Sequence, residues 1–124
     1  MENTIQIVVA DRNPNVRNFL KRELAASGMR VCLADNVDKL LETIHSQIPV
    51  NLIVLDPDLP GADSIDLYEK LANRAPQLPV ILYCVRGADH PSTLEEMEMV
   101  RIEKDGNSIE LLINAVNDIL EGYK

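Results

Sequence analysis

Residues 51–85 read NLIVLDPDLPGADSIDLYEKLANRAPQLPVILYCV. Leu52, Ile53, Val54 and Leu55 form an unbroken apolar run, the pattern of a strand covered on both faces. Asp56 ends that run. Pro57, Pro60 and Gly61 then mark a loop, and Asp63 carries a side chain suited to capping a helix with Ile65, Tyr68, Leu71 and Ala72. Val80, Ile81, Leu82 and Tyr83 make the next strand, which ends near Cys84. A strand, a helix and a second strand in this order predict a crossover that leaves the two strands parallel.

The same rhythm runs outward in both directions. Upstream, the β-branched run from Ile5 to Ala10 ends at Asp11. Asn13 and Pro14 then suit the cap and first turn of a helix. Val16, Phe19, Leu20 and Leu24 are spaced to line one face of that helix, and Gly28 suits its stop. Val31, Cys32, Leu33 and Ala34 predict a second strand; Asn36 caps a helix carrying Val37, Leu40, Leu41 and Ile44, and Pro49 breaks it. Downstream, Ser92 and Glu95 have capping-box spacing for a short acidic fourth helix. Met99, Val100 and Ile102 predict a fifth strand ending by Lys104. The last helix, about 108–121, shows Ile109, Leu112, Ile113, Val116, Ile119 and Leu120. Five βα units in 124 residues fill one domain, read as residues 1–124, with a doubly wound five-stranded parallel sheet.

Bulk properties narrow the function. A net charge of −8 argues against a nucleic-acid surface, which needs clustered Lys and Arg, and against adsorption to anionic lipid. No apolar run reaches the length of a membrane span, and the chain opens on Glu2 rather than on a basic segment. Cys32 and Cys84 have no metal-ligand spacing, so they read as reduced, mostly buried thiols of a cytoplasmic protein.

In an open α/β sheet, chemistry collects beyond the carboxyl ends of the strands, where strand order reverses. With the order 2-1-3-4-5, Asp11 and Asp56 end neighbouring strands, and Cys84 and Lys104 end the next two. Two carboxylates about 4 Å apart repel by roughly 4 kcal/mol at an effective dielectric of about 20. A cation is needed there, and the candidates are a divalent ion such as Mg²⁺, Lys104 or Arg12.

At this point the chain resembles the receiver domains of two-component response regulators. The resemblance rests on the apolar strand before Asp56, the loop residues Leu59, Pro60, Gly61 and Asp63, and the Pro-Val-Ile lead into strand four. VVADRNPNVRNFL and RIEKDGNSIELLINAV match the ends of strands one and five and the helices after them. It implies a flavodoxin-like fold and a signalling module rather than an enzyme. Asp56 would be the phosphoacceptor, fed by a histidine kinase or a phosphotransfer protein of a phosphorelay. Asp56 would attack phosphohistidine as a carboxylate nucleophile, and Lys104 would pair with the phosphoryl oxygens. Asp11, Asp56 and the backbone carbonyl of Asp58 would hold Mg²⁺.

The departures from the family pattern are specific. The second acid after strand one is replaced by Arg12, so Mg²⁺ is expected to bind weakly or not at all. Arg12 is then read as a phosphoryl contact, as an ion-pair partner of Asp56, or as a solvated side chain. Cys84 stands where a hydroxyl residue usually contacts the phosphoryl group, and a thiol is a weaker donor. Val85 replaces a small residue, Arg101 the switch aromatic, Asp105 a proline and Ser64 a glycine. Pro57, directly after the acceptor, stiffens the loop.

His45 and His90 read as surface residues, and Cys84 as a buried thiol rather than one activated by Lys104. The acidic fourth helix, with Glu95, Glu96 and Glu98, forms with strand five and the last helix the family's usual partner surface, and a homodimer through that face is one reading. Two alternatives stand beside the phosphoacceptor. One is a pseudo-receiver, an interaction module without phosphoryl chemistry. The other is a small flavodoxin-like enzyme or nucleotide binder, which the absence of a glycine-rich or Walker loop disfavours.

Overall fold

The computed structural model describes residues 5–61, 65–73, 78–84, 99–105 and 108–121. In chain order they form β1 (Gln6–Ala10), α1 (Pro14–Ala26), β2 (Arg30–Ala34), α2 (Val37–Ile44), β3 (Leu52–Leu55), α3 (Ile65–Asn73), β4 (Val80–Cys84), β5 (Met99–Glu103) and α4 (Ser108–Glu121). The short helix expected at 92–98, with Ser92, Glu95, Glu96 and Glu98, lies outside the described residues, as do Asp63, Ser64, Val85 and His90. Thus α4 is the helix expected last.

The strands build one sheet in the order β2-β1-β3-β4-β5, and every pairing is parallel. The period-two alternation of a strand sorts their side chains onto two faces. Val8, Ala10, Ile53, Leu55, Val80 and Leu82 pack with Val37, Leu40 and Ile44 of α2 and Leu67 and Leu71 of α3. Ile7, Val9, Leu52, Val54, Ile81, Tyr83 and Ile102 pack with Leu20 and Leu24 of α1 and Leu112, Val116 and Leu120 of α4. Every residue of β3 and β4 is buried, which explains their unbroken apolar sequence. Each such Leu or Ile contributes about 1.5–3 kcal/mol by leaving water.

Local signals set the helix ends. Asn13 accepts the amide of Asn15, with Pro14 in the first turn, and Asn36 accepts the amide of Lys39. Gly28, at φ +89°, ends α1 while the amides of Gly28 and Met29 return to the carbonyls of Ala25 and Leu24.

Two expectations need correction. Phe19 is not part of the buried face of α1. It is 37% exposed, with the Arg22 guanidinium 5.4 Å from its ring centroid, because Leu20 and Leu24 carry the contact with the sheet and Phe19 falls at the margin. Cys32 is only half-buried, since β2 is an edge strand, whereas Cys84 is buried; both are free thiols. Among the described residues, no helix is long and apolar enough to cross a membrane.

Candidate functional site

Three polar residues each stand one position beyond a strand, and each donates its amide to the neighbouring strand. The amide of Asp11 bonds to the carbonyl of Ala34, that of Asp56 to Ala10 and that of Lys104 to Cys84, at 3.1, 2.8 and 2.7 Å. The sheet ladder therefore extends one step past the apolar runs and fixes the backbone of all three. Side-chain parity continues as well. Asp11, Asp56, Tyr83 and Lys104 each follow by two residues a residue facing α1 and α4, namely Val9, Val54, Ile81 and Ile102. The sequence order of strands and the alternation within them thus aim these four side chains at one place.

The carboxylates of Asp11 and Asp56 are both 2% exposed, and every one of their oxygens is engaged. Asp11 Oδ1 accepts the amide of Asn13 at 2.9 Å, and Oδ2 lies 2.9 Å from Lys104 Nζ. Asp56 Oδ1 accepts the amide of Asp58 at 2.9 Å; Oδ2 accepts the amide of Arg12 at 3.2 Å and lies 3.7 Å from Arg12 Nε. The same guanidinium reaches Asp58 Oδ2 at 3.4 Å through Nη2. Arg12 therefore does not simply point into solvent: it bridges two acids while remaining 52% exposed. Lys104, at 20%, is far more enclosed.

Burial pushes the Asp11 carboxyl above the usual aspartate range, and the Asp56 charge adds to the rise; the Asn13 amide and Lys104 oppose it. Burial also pushes the Cys84 thiol up, against the nearby charge of Arg101 and Lys104. Cys84 Sγ lies 3.9 Å from the carbonyl of Ile102. Its environment suits an inert thiol, because only the thiolate reacts. Asp58 is half exposed on the loop, whose turn is closed by the amide of Leu59 on the carbonyl of Asp56 and anchored by the buried Leu59. Gly61, at φ +91°, lets the loop approach α2: a Cβ there would lie 3.1 Å from Val37 Cβ, and the Val37 amide bonds to the Pro60 carbonyl. Arg101 is exposed on β5, opposite Leu82. His45 caps the end of α2 and is exposed.

Three residues were not singled out as site residues from sequence. Arg17 Nη1 donates to the carbonyl of Asp11 at 2.8 Å and so braces the turn into α1. Tyr83 lies under Lys104, whose Nζ is 5.5 Å from the ring centroid, and its hydroxyl meets Ser108 Oγ at 2.6 Å. A tyrosine in an otherwise aliphatic strand was the available signal, since a buried phenol needs a hydrogen-bond partner.

Residues 7–115 match the response regulator receiver domain family. The chain belongs to that family. Receiver domains are signalling modules of two-component systems rather than classical enzymes. They interact with histidine kinases or phosphotransfer proteins and generally bind Mg²⁺. Among curated relatives, the DNA-binding transcriptional regulator NtrC of Escherichia coli K12 is 32% identical over 74 residues, 60% of this chain and 16% of NtrC. The transcriptional regulatory protein TctD of Salmonella typhimurium is 32% identical over 87 residues, 68% of this chain and 37% of TctD. The receiver thus spans well under half the length of these relatives. In fold it is similar to the receiver domain of a Francisella response regulator, with TM-score 0.83, 24% identity and coverage of 98% of this chain and 100% of that one. It is also similar to the response regulator TrrA of Thermotoga maritima, solved in complex with Mg²⁺ and BeF, with TM-score 0.77, 22% identity and coverage of 92% and 98%.

The family's metal does not fit this receiver's edge well. Mg²⁺ wants oxygen ligands in an octahedron and keeps several waters. Here a guanidinium stands beside Asp56 and Asp58, and an ammonium already sits on Asp11.

Proposed function

We propose that this receiver accepts a phosphoryl group on Asp56 from phosphohistidine of a histidine kinase or phosphotransfer protein. The observation that carries the reading is the setting of Asp56. Two backbone amides hold its carboxylate beyond β3, with the ammonium of Lys104 on the neighbouring Asp11 and the guanidinium of Arg12 in front. Asp56 acts as the nucleophile: one carboxylate oxygen attacks phosphorus as the P–N bond to the donor histidine breaks. Lys104 and Arg12 neutralise the phosphoryl oxygens, so catalysis consists of positioning and electrostatics. Because Asp56 is buried and Arg12 half exposed, the Arg12 side chain must swing aside before phosphorus can reach the carboxylate. Cys84 contributes no strong hydrogen bond. We further propose a cytoplasmic setting, in keeping with two free thiols, and a domain that takes in residues 1–124. Partner binding through β5, α4 and the segment 92–98, including self-association, belongs to the same reading.

Intact mass after incubation with acetyl phosphate and Mg²⁺ tests it. The expected result is one added phosphoryl group, absent from Asp56→Asn. A second reading, the pseudo-receiver, is favoured by the Arg12 bridge itself, which already sets one positive charge against Asp56 and Asp58 with no phosphoryl group. No mass gain, with partner binding unchanged in Asp56→Asn, is the outcome that selects it.

Arg12 also sets the expected metal response. Exchanging an acid for Arg changes the local charge by two units, each worth roughly 3 kcal/mol at about 5 Å before screening. With Arg12 half in solvent the effect shrinks, yet at least about a tenfold loss of Mg²⁺ affinity remains. Arg12→Asp is expected to recover that affinity in a calorimetric titration and to speed phosphorylation. Tight Mg²⁺ binding by the natural sequence, with no gain in the variant, is the contrary result.

A further inference from the structure

Lys104 reaches the site from the far side of the sheet, and something must hold its flexible stem. Its amide is fixed on the Cys84 carbonyl at 2.7 Å, which secures the backbone but leaves the side chain free to rotate. The ammonium lies between the Asp11 carboxylate at 2.9 Å and the face of Tyr83, 5.5 Å from the ring centroid. Tyr83 is itself 5% exposed and cannot drift, because its hydroxyl is tied to Ser108 Oγ at 2.6 Å. Ser108 is 3% exposed and opens α4; its hydroxyl donates to the carbonyl of Asp105 at 2.9 Å. A hydroxyl has one proton, so with Ser108 donating to Asp105 the phenol must be the donor to Ser108. The chain of contacts is therefore directional: Tyr83 to Ser108 to Asp105, the residue after Lys104.

We propose that Tyr83 is a positioning residue that seats the Lys104 ammonium on Asp11, and that Ser108 fixes the ring in register with α4. The ring supplies a negative face beneath the cation, and the phenol anchor keeps that face from rotating away. The seat and the first turn of α4 then move together: a displacement of Ser108 shifts the ring and loosens the cation. The placement of Lys104 stands on this geometry alone; its effect on phosphoryl transfer rests on the phosphoacceptor reading above.

The test compares the full chain with Tyr83→Phe, Tyr83→Leu and Ser108→Ala. Proton NMR follows the ε-methylene and ammonium protons of Lys104, and phosphorylation by acetyl phosphate is timed in parallel. In the natural protein the ε-methylene signal is expected upfield, under the ring, with slowed ammonium exchange. Tyr83→Leu is expected to abolish the upfield shift, quicken exchange and slow phosphorylation about threefold, the order of one cation–π contact. Tyr83→Phe keeps the ring and restores the upfield shift, while exchange remains faster than in the natural protein; Ser108→Ala behaves likewise. Lys104 signals unchanged in Tyr83→Leu overturn the proposal. If Tyr83→Leu does not fold, unchanged exchange in both Tyr83→Phe and Ser108→Ala overturns it instead. A natural protein that takes no phosphoryl group defeats the phosphoacceptor reading and leaves the NMR comparison to decide this one.

Discussion

The two halves of the carboxyl edge handle charge differently. At the ends of β1 and β3, Arg12 and Asp58 pair directly at 3.4 Å on the solvent side, with side chains 52% and 50% exposed. At the ends of β4 and β5, Lys104 is 20% exposed and its surroundings are dry, with Tyr83, Cys84 and Ser108 at 5% or less. The ion pair on the wet side is held by a long, screened side chain. The one on the dry side is held by backbone, ring and hydroxyl together. The same formal interaction therefore has different stiffness and different worth in the two halves. A guanidinium half in water is free to leave and admit a ligand, whereas an ammonium in a dry seat serves as a fixed charge.

Removing each cation is the most direct way to break the comparison. Lys104→Met leaves Asp11 buried beside Asp56 without its counter-charge, and should cost about 3 kcal/mol of stability in urea unfolding at neutral pH, the low end for a buried pair because Lys104 is 20% exposed. A loss below that of the Arg12 variant would erase the distinction between the halves.

Cys84 probes the dryness of its half without altering charge. Cys84 is buried and its thiol is pushed above the usual 9.0, so the thiolate appears only after an ordinary thiol has ionised. Alkylation of the folded protein at pH 8 should therefore proceed at half-buried Cys32 at least about tenfold faster than at Cys84. Raising the pH should speed reaction at Cys84 late, and only while the fold persists. Peptide mapping that finds Cys84 modified first would show that water reaches the β4 end.

The smallest effect is expected on the wet side. Arg12→Ala should change stability by about 0.5 kcal/mol, and that contribution should fade as salt screens the pair. A large, salt-insensitive loss would mean that the guanidinium is held as firmly as the ammonium.

Much of this arrangement was legible beforehand, for identifiable reasons. β3 and β4 are buried on both faces, so their sequences could only be short unbroken apolar runs, and their ends could be read to the residue at Asp56 and Cys84. The caps at Asn13 and Asn36 were legible because a cap is a local hydrogen bond within a few residues. Phe19 was misread because helical spacing ranks it with Leu20 and Leu24, while the width of the contact depends on what the sheet offers opposite. Cys32 was misread because an apolar strand pattern does not say how fully the neighbouring elements cover an edge strand.

The sequence by itself determined the βα alternation, the strand ends, and the presence of Asp11, Asp56 and Lys104 one step beyond them, with Arg12 one residue further. These follow from nearest-neighbour physics: apolar period, capping and the ladder that carries each strand one residue further. Only the tertiary structure decided which cation meets which acid. Lys104 sits on Asp11 rather than Asp56, Arg12 spans Asp56 and Asp58, and Tyr83 forms the floor. Those choices depend on strand order, on the shared parity of Val9, Val54, Ile81 and Ile102, and on the reach of each side chain across the sheet. They bring together residues far apart in the chain, and no local pattern encodes such a distance.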